Sequence, residues 1–255
     1  MNLYEKHNYT NKNILYLKNN IVYEYDMVNA GINILFHNNV LNKQQVDRLN
    51  NMEKLEKNIT VGKFLKKNKS INDGLIKEFI NIRKHLFELN NIENKDVLSI
   101  KKDAIFLINK ELEHLELNEN YKFQEKNKYT AFIQINNKEF FYDPKKEEFD
   151  IKGFSKNIKD HHVNFLFKEL REIMLLDMNN NSREVFERLL TLKYEFLEKQ
   201  LDKGYYLDIQ QGNYIIKLND TFTYSLENIN KETIKHCLID NNLNFIVNMI
   251  KILVS

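Results

Sequence analysis

Apolar residues along this chain switch between the two-residue period of strands and the longer period of helices. Ile14–Leu17 and Ile21–Tyr25 are short apolar runs on either side of Asn19-Asn20, and they predict two strands joined by a turn. Asp26 closes the second. The segment from Asn29 to Asn38 has Ile32, Leu35 and Phe36 at helical spacing. Lys43 to Lys57 reads as a polar helix. Glu78 to Leu89 gives the clearest helix of this half, with Phe79, Ile82, Leu86 and Leu89 on one face. From Asp96 the pattern belongs to strands: Val97–Ile100 and Ala104–Ile108 around Lys101-Lys102-Asp103, then Tyr129–Ile135, Glu139–Tyr142 and Phe149–Ile151. Asn136-Asn137 and Asp143-Pro144 supply the turns between these last three. After Gly153 helical spacing returns in Val163–Asp177, Arg183–Leu201 and from Lys231 onward. A small hairpin is expected over Tyr205–Leu218, with Gln211-Gly212-Asn213 at its tip. No internal repeat is visible. The expected class is α+β, with a mixed sheet-and-helix half before Gly153 and a mostly helical half after it.

Composition narrows this picture only in places. A chain of 255 residues is long enough for one large domain or two modest ones. Seventeen Phe and thirteen Tyr fill much of the core, and there is no Trp. Heavy use of Asn, Lys and Ile points to an AT-rich genome, a microbe's or its phage's. It also makes runs of Asn or Lys weak signals. The net charge of +2 is compatible with a nucleic-acid groove built from local basic clusters. A single cysteine, Cys237, excludes an internal disulfide framework and a cysteine-rich zinc site. Within the apolar run Ile234–Ile239 it is expected on a helix, as a buried small hydrophobe. The first residues lack a signal pattern, and no stretch reaches the roughly 18 apolar residues of a membrane span. The expectation is a cytoplasmic protein with no membrane partner, with a viral origin left open.

Two acids carry the candidate chemistry. Asp26 ends an apolar strand just before a helix, where the backbone is rigid and the side chain projects past the sheet. Asp103 is the tip of a strand-turn-strand unit. If that hairpin pairs beside the Asp26 strand, two hard oxygen ligands converge and suit Mg²⁺ or Mn²⁺. Two ions roughly 3.5–4 Å apart would activate a 3′-hydroxyl and stabilise a leaving pyrophosphate. Taken alone, either acid also reads as an ordinary turn residue. Among other constellations, His161-His162 has no third ligand at sensible spacing and reads as a surface pair. Gly62-Lys63 lacks the rest of a phosphate-binding loop.

These acids sit in motifs that resemble those of B-family DNA polymerases. Asp26 to Leu35 is similar to that family's first acidic motif, Asp-x-x-Ser-Leu-Tyr-Pro-Ser-Ile-Ile, with Ile34-Leu35 in register. Ser99 to Phe106 resembles its hairpin, Tyr-Gly-Asp-Thr-Asp-Ser-Ile-Phe. Asp103 falls on the second aspartate and Lys101 on the first. Lys126-Asn127-Lys128-Tyr129 is similar to Lys-Lys-Arg-Tyr, and Lys152-Gly153 to the Lys-Gly pair that ends the palm. The matches follow the family's order and cover roughly Val22 to Gly153.

The resemblance implies a right-hand polymerase palm, an antiparallel sheet with helices, over residues 1–153. Minimal fingers would be inserted at about 38–95, and a mostly helical thumb would occupy 154–255. It implies a template-directed nucleotidyltransferase of the DNA- or RNA-polymerase or primase type, in which Asp26 and Asp103 hold Mg²⁺ or Mn²⁺. Lys126, Lys128, Tyr129, Lys152 and Gly153 would then grip the primer-template, lysines at strand ends neutralising phosphates. The finger-helix motif is reduced to the Lys77 and Asn81 spacing, and Lys77, Asn81 and Arg83 are the candidates for holding a nucleoside triphosphate. Gly31 stands where the family has the tyrosine that excludes a 2′-hydroxyl. Single-subunit RNA polymerases carry a glycine at the equivalent place, so the expected sugar gate is open. The expected partners are nucleic acid, nucleoside triphosphates and further subunits of a replication or transcription machine. Two alternatives stand beside this reading. One is a catalytically degenerate palm that binds nucleic acid within a larger complex. The other is an unrelated interaction protein with chance matches.

Overall fold

The computed structural model describes residues 2–212, 215–217 and 223–255. In chain order its elements are β1 (Asn8–Thr10), β2 (Tyr16–Met27), α1 (Ala30–His37), α2 (Lys43–Asn50), α3 (Lys54–Lys67), α4 (Lys69–Leu89), β3 (Val97–Lys101) and β4 (Ala104–Ile108). Then come β5 (Phe123–Ile135), β6 (Lys138–Asp143), β7 (Glu148–Lys152), α5 (Lys156–His162), α6 (Leu166–Met178) and α7 (Ser182–Leu197). The chain ends with β8 (Ile215–Lys217), β9 (Thr223–Tyr224), α8 (Lys231–Ile234), β10 (Cys237–Leu238) and α9 (Asp240–Leu253). The fold is α+β. Seven strands form one antiparallel sheet in the order β1-β3-β4-β2-β5-β6-β7, and the part after β7 is mostly helical.

The chain clusters into two compact units, one of residues 1–13 and 20–129 and the other of residues 14–19 and 130–255. The change from sheet to helix at Gly153 lies inside the second. In the first unit, Tyr23, Tyr25 and Met27 of β2 share a face with Ile105 and Leu107 of β4. They pack against Ile34 and Leu35 of α1 and Phe79, Ile82 and Leu86 of α4. Burying each such side chain is worth roughly 1.5–3 kcal/mol, which fixes these two helices on that face. The predicted stripe on α4 stops at Leu86, because Leu89 ends the helix 36% exposed.

In the second unit, Ala131, Ile133 and Ile135 of β5 join Phe140 of β6 and Ile151 of β7 in a core closed by α6, α7 and α9. Asn136 and Asn137 form the two-residue turn between β5 and β6, with φ of 51° and 60°. Positive φ at both central positions suits the twist of the flanking strands, and Asn tolerates it. α7 also leaves Phe186, Leu190, Tyr194 and Leu197 exposed along one side.

Several expectations are revised. Asn19-Asn20 is no turn: Asn19 takes a left-handed φ of 56° inside one continuous strand, β2. The polar helix expected over Lys43–Lys57 is two, α2 and α3, and Asn42 caps α2 by a reciprocal bond with Gln45. Cys237 is buried as expected but lies in strand β10, not on a helix. The hairpin expected over Tyr205–Leu218 falls partly outside the described residues, Asn213 among them. Within them, Lys203–Tyr206 is a short 3-10 helix, and β8 pairs with β9 and β10. The His161-His162 pair is no surface feature. His162 is fully buried with its Nε2–H donating to Leu207 O at 3.0 Å, and His161 Nε2 meets Gly204 O at 2.8 Å.

Candidate active site

The two acids reach their positions through ordinary sheet geometry in the first unit. β3 and β4 form a hairpin closed by the Lys101–Ala104 pair, with Lys102 and Asp103 as its two-residue loop. Lys102 takes φ 56°, the left-handed conformation that such a tight turn demands. β4 pairs antiparallel with β2, placing Ala104 opposite Asp26. The turn is then held by its backbone from three directions. Met27 N donates to Asp103 O at 3.2 Å, Lys102 N to His7 O at 2.9 Å, and Arg83 Nη2 to Lys102 O at 2.9 Å. Beyond Met27 the chain turns into α1 through Asn29, at φ 48°, and Asn33 Nδ2 donates to Val28 O at 2.9 Å.

Asp26, Asp103 and Gly31 line one cleft of about 530 Å³, together with Lys54, Lys57 and Asn58 of α3 and Gln124 of β5. Burial first, and the Asp26 carboxylate second, hold the Asp103 carboxyl above the usual carboxylate range. Its own backbone N–H, Lys102 and Lys126 pull the other way. A Cβ on Gly31 would meet only Val61 Cγ1, at 3.9 Å, so this wall of the cleft has room.

Glu24 is part of the arrangement and was not expected. It lies two residues before Asp26 and so on the same face of β2. It is 1% exposed, and its carboxylate accepts from Tyr129 OH at 2.5 Å, Asn127 Nδ2 at 2.8 Å and Lys126 Nζ at 3.2 Å. Burying a carboxylate costs several kcal/mol unless donors meet it, and here three do. Lys126 Nζ also lies 3.6 Å from Asp26 Oδ2. The signal for Glu24 was present in the sequence as its two-residue spacing from Asp26. Lys54 and Lys57 carried no such signal, since nothing local places α3 beside β2.

The remaining expected residues divide. Lys126 stands beside Asp26. Lys128 does not: its Nζ lies 5.0 Å over the Tyr23 ring and 3.3 Å from Glu125, on the opposite sheet face. Tyr129 is fully buried against Glu24 and offers no surface to a ligand. Arg83 is 5% exposed, and its guanidinium donates to the carbonyls of Tyr4, Lys6 and Lys102. That commitment replaces a triphosphate role with a structural one. Burial lowers its pKa to about 10, opposed by Asp103, so it stays charged at neutral pH. Lys77 and Asn81 are exposed on α4 outside the cleft lining, and Asn81 Nδ2 donates to Glu78 at 3.2 Å. Lys152 and Gly153 belong to the second unit, where Lys152 pairs with Asp150 at 2.7 Å and Gly153 takes φ 96°.

Among the described residues no group of three or more His, Cys, Asp or Glu is placed to hold a metal. Two carboxylates are still a fitting donor set for Mg²⁺, which keeps waters and takes phosphate oxygens beside one or two protein ligands. No described helix is long and apolar enough to cross a membrane. No curated protein matches the chain. Over its full length, residues 1–255, the chain matches the family model described as Bacteriophage PBS1 gene 130 protein, and it belongs to that phage family.

Proposed function

We propose that this protein is the reduced palm-and-thumb core of a phage nucleic-acid polymerase, similar to B-family DNA polymerases. One observation carries the reading: Asp26 and Asp103, at the ends of two paired strands, open into a single cleft. Asp26 near the end of β2 and Asp103 in the turn just before β4 support this reading, because β2 and β4 are paired. In this reading residues 1–153 are the palm, with α2, α3 and α4 as the fingers at about 38–95, and residues 154–255 are the thumb.

Asp26 and Asp103 would hold Mg²⁺ or Mn²⁺, which when bound lowers the barrier to transfer by polarising phosphate and hydroxyl oxygens. The residues of the chain then have distinct tasks. Burial first, and the Asp26 carboxylate second, raise the Asp103 pKa, so this carboxyl favours a state in which its charge is countered. Lys54 and Lys57 bring positive charge to the wall that an incoming nucleoside triphosphate would meet. Gly31 leaves space for a ribose 2′-hydroxyl, so the site accommodates either sugar. The reaction is attack of a primer 3′-hydroxyl on an α-phosphate, forming a phosphodiester and releasing pyrophosphate. The test is extension of a labelled primer-template with NTPs or dNTPs and Mg²⁺ or Mn²⁺. Gly31 leads us to expect extension with NTPs, and strict use of dNTPs would remove the open-gate reading.

A specific observation also favours a second reading, a catalytically degenerate palm that binds nucleic acid within a larger replication or transcription complex. Lys126 places an ammonium beside Asp26, and Lys101, which donates to Thr10 Oγ1 at 2.8 Å, replaces the other hairpin acid. Salt-sensitive binding to primer-template without extension is the outcome that selects it.

A further inference from the structure

Lys126 is placed as no primer-gripping residue needs to be. Its Nζ lies 3.2 Å from Glu24 Oε1 and 3.6 Å from Asp26 Oδ2, between one buried carboxylate and one that opens to the cleft. Its side chain is 42% exposed, so the flexible stem has solvent to move into. The two contacts are not equivalent. Glu24 keeps Asn127 and Tyr129 as donors at 2.8 and 2.5 Å if the ammonium withdraws. The Asp26 contact is the longer one and involves the acid beside Asp103.

We propose that Lys126 is a tethered counter-ion of the cleft, which neutralises Asp26 until a divalent cation displaces it. This rests on reading Asp26 and Asp103 as metal ligands, and it adds a competitor to that site. A like-charged pair in one cleft repels itself, and an ammonium beside it lowers that repulsion at no cost in ligand. The arriving cation must do better than the ammonium, so the lysine sets the cation concentration at which the site loads. Once displaced, the ammonium stands next to the cleft, where a phosphate is its natural partner. Loading and phosphate contact are thereby coupled through one side chain.

The experiment is Mn²⁺ binding to the full chain at fixed ionic strength, followed by the paramagnetic resonance signal of the free ion. Lys126→Met removes the charge, Lys126→Gln removes it but keeps a donor for Glu24, and Lys126→Arg keeps it. The Met and Gln variants are expected to bind Mn²⁺ about twofold to fivefold more tightly than the unaltered protein, the scale of a partly exposed ion pair. The Arg variant should match the unaltered protein, and Asp26→Asn should abolish the gain. If the unaltered protein binds Mn²⁺ through Asp26 and the Met and Gln variants bind no more tightly, the counter-ion inference is overturned and the metal reading stands. If neither the unaltered protein nor any variant binds Mn²⁺, both are overturned.

Discussion

Asp103 carries a charge where charge is unfavourable. Burial and the Asp26 carboxylate raise its pKa above the value it has in an unfolded chain. The folded state therefore binds its proton more tightly, and stability falls as pH rises through the window between those two values. Above that window the cost is complete. Asp103→Asn keeps an oxygen for the backbone N–H and removes the charge. Its melting temperature should exceed that of the unaltered protein at pH 7 and converge with it near pH 3, as thermal melts would show. A lower melting temperature at pH 7 would mean that the carboxylate stabilises the fold. Such a trade of stability for a charged site is usual where a residue serves function.

His162 gives the opposite slope. Burial chiefly, with the neighbouring His161, pushes its pKa down to about 3, while its unfolded value is 6.5. Between those values the unfolded state takes up the proton, so stability rises with pH across that window and is lost on acidification. His162→Gln should flatten that part of the pH–stability curve relative to the unaltered protein, measured by melts from pH 7 to pH 4. An unchanged slope would show that His162 is not the group responsible. The behaviour of His162 was not legible from the His-His dipeptide. Its burial depends on carbonyls of Gly204 and Leu207, more than forty residues away.

At the scale of elements, what period and turn chemistry can express was visible in the sequence. The β3–β4 hairpin, the Asn136-Asn137 turn, α1 and the buried face of α4 all follow from local spacing. The misjudged places have a physical reason in common. Asn19 reads as a turn residue because Asn tolerates positive φ, yet β2 runs through it without a break from Tyr16 to Met27. Arg83 reads as a triphosphate-holding residue because helical period says nothing about what lies above the helix. In the fold it ties α4 to the N-terminal segment and to the turn that carries Asp103. Hydrogen bonds from a buried cation are the strong ones, and three carbonyls would lose their donor together. Arg83→Met should destabilise the protein by about 3 kcal/mol or more in urea titration. A loss under about 1 kcal/mol would contradict this tethering role.

The whole molecule adds what local spacing cannot express. The sheet order sets β1 beside β3, and β2 between β4 and β5, so Asp26 and Asp103 meet although they are distant in sequence. The sequence placed both acids at strand ends. Only pairing order decides that those ends are neighbours, and pairing order is set by burial over the entire sheet. The same pairing brings Glu24 and Lys126 to the acids, and α3 supplies lysines that α4 had been expected to provide. Nucleotide transfer by this assembly is the proposal on which the other roles depend. Its most direct test is primer extension with Mg²⁺ or Mn²⁺ by the unaltered chain beside Asp103→Asn, with melts confirming that the variant is folded. Cation-dependent extension by the unaltered chain is expected, with a loss of about a thousandfold or more in Asp103→Asn. Extension that survives in the folded variant, or none by the unaltered chain with any nucleotide, would contradict it.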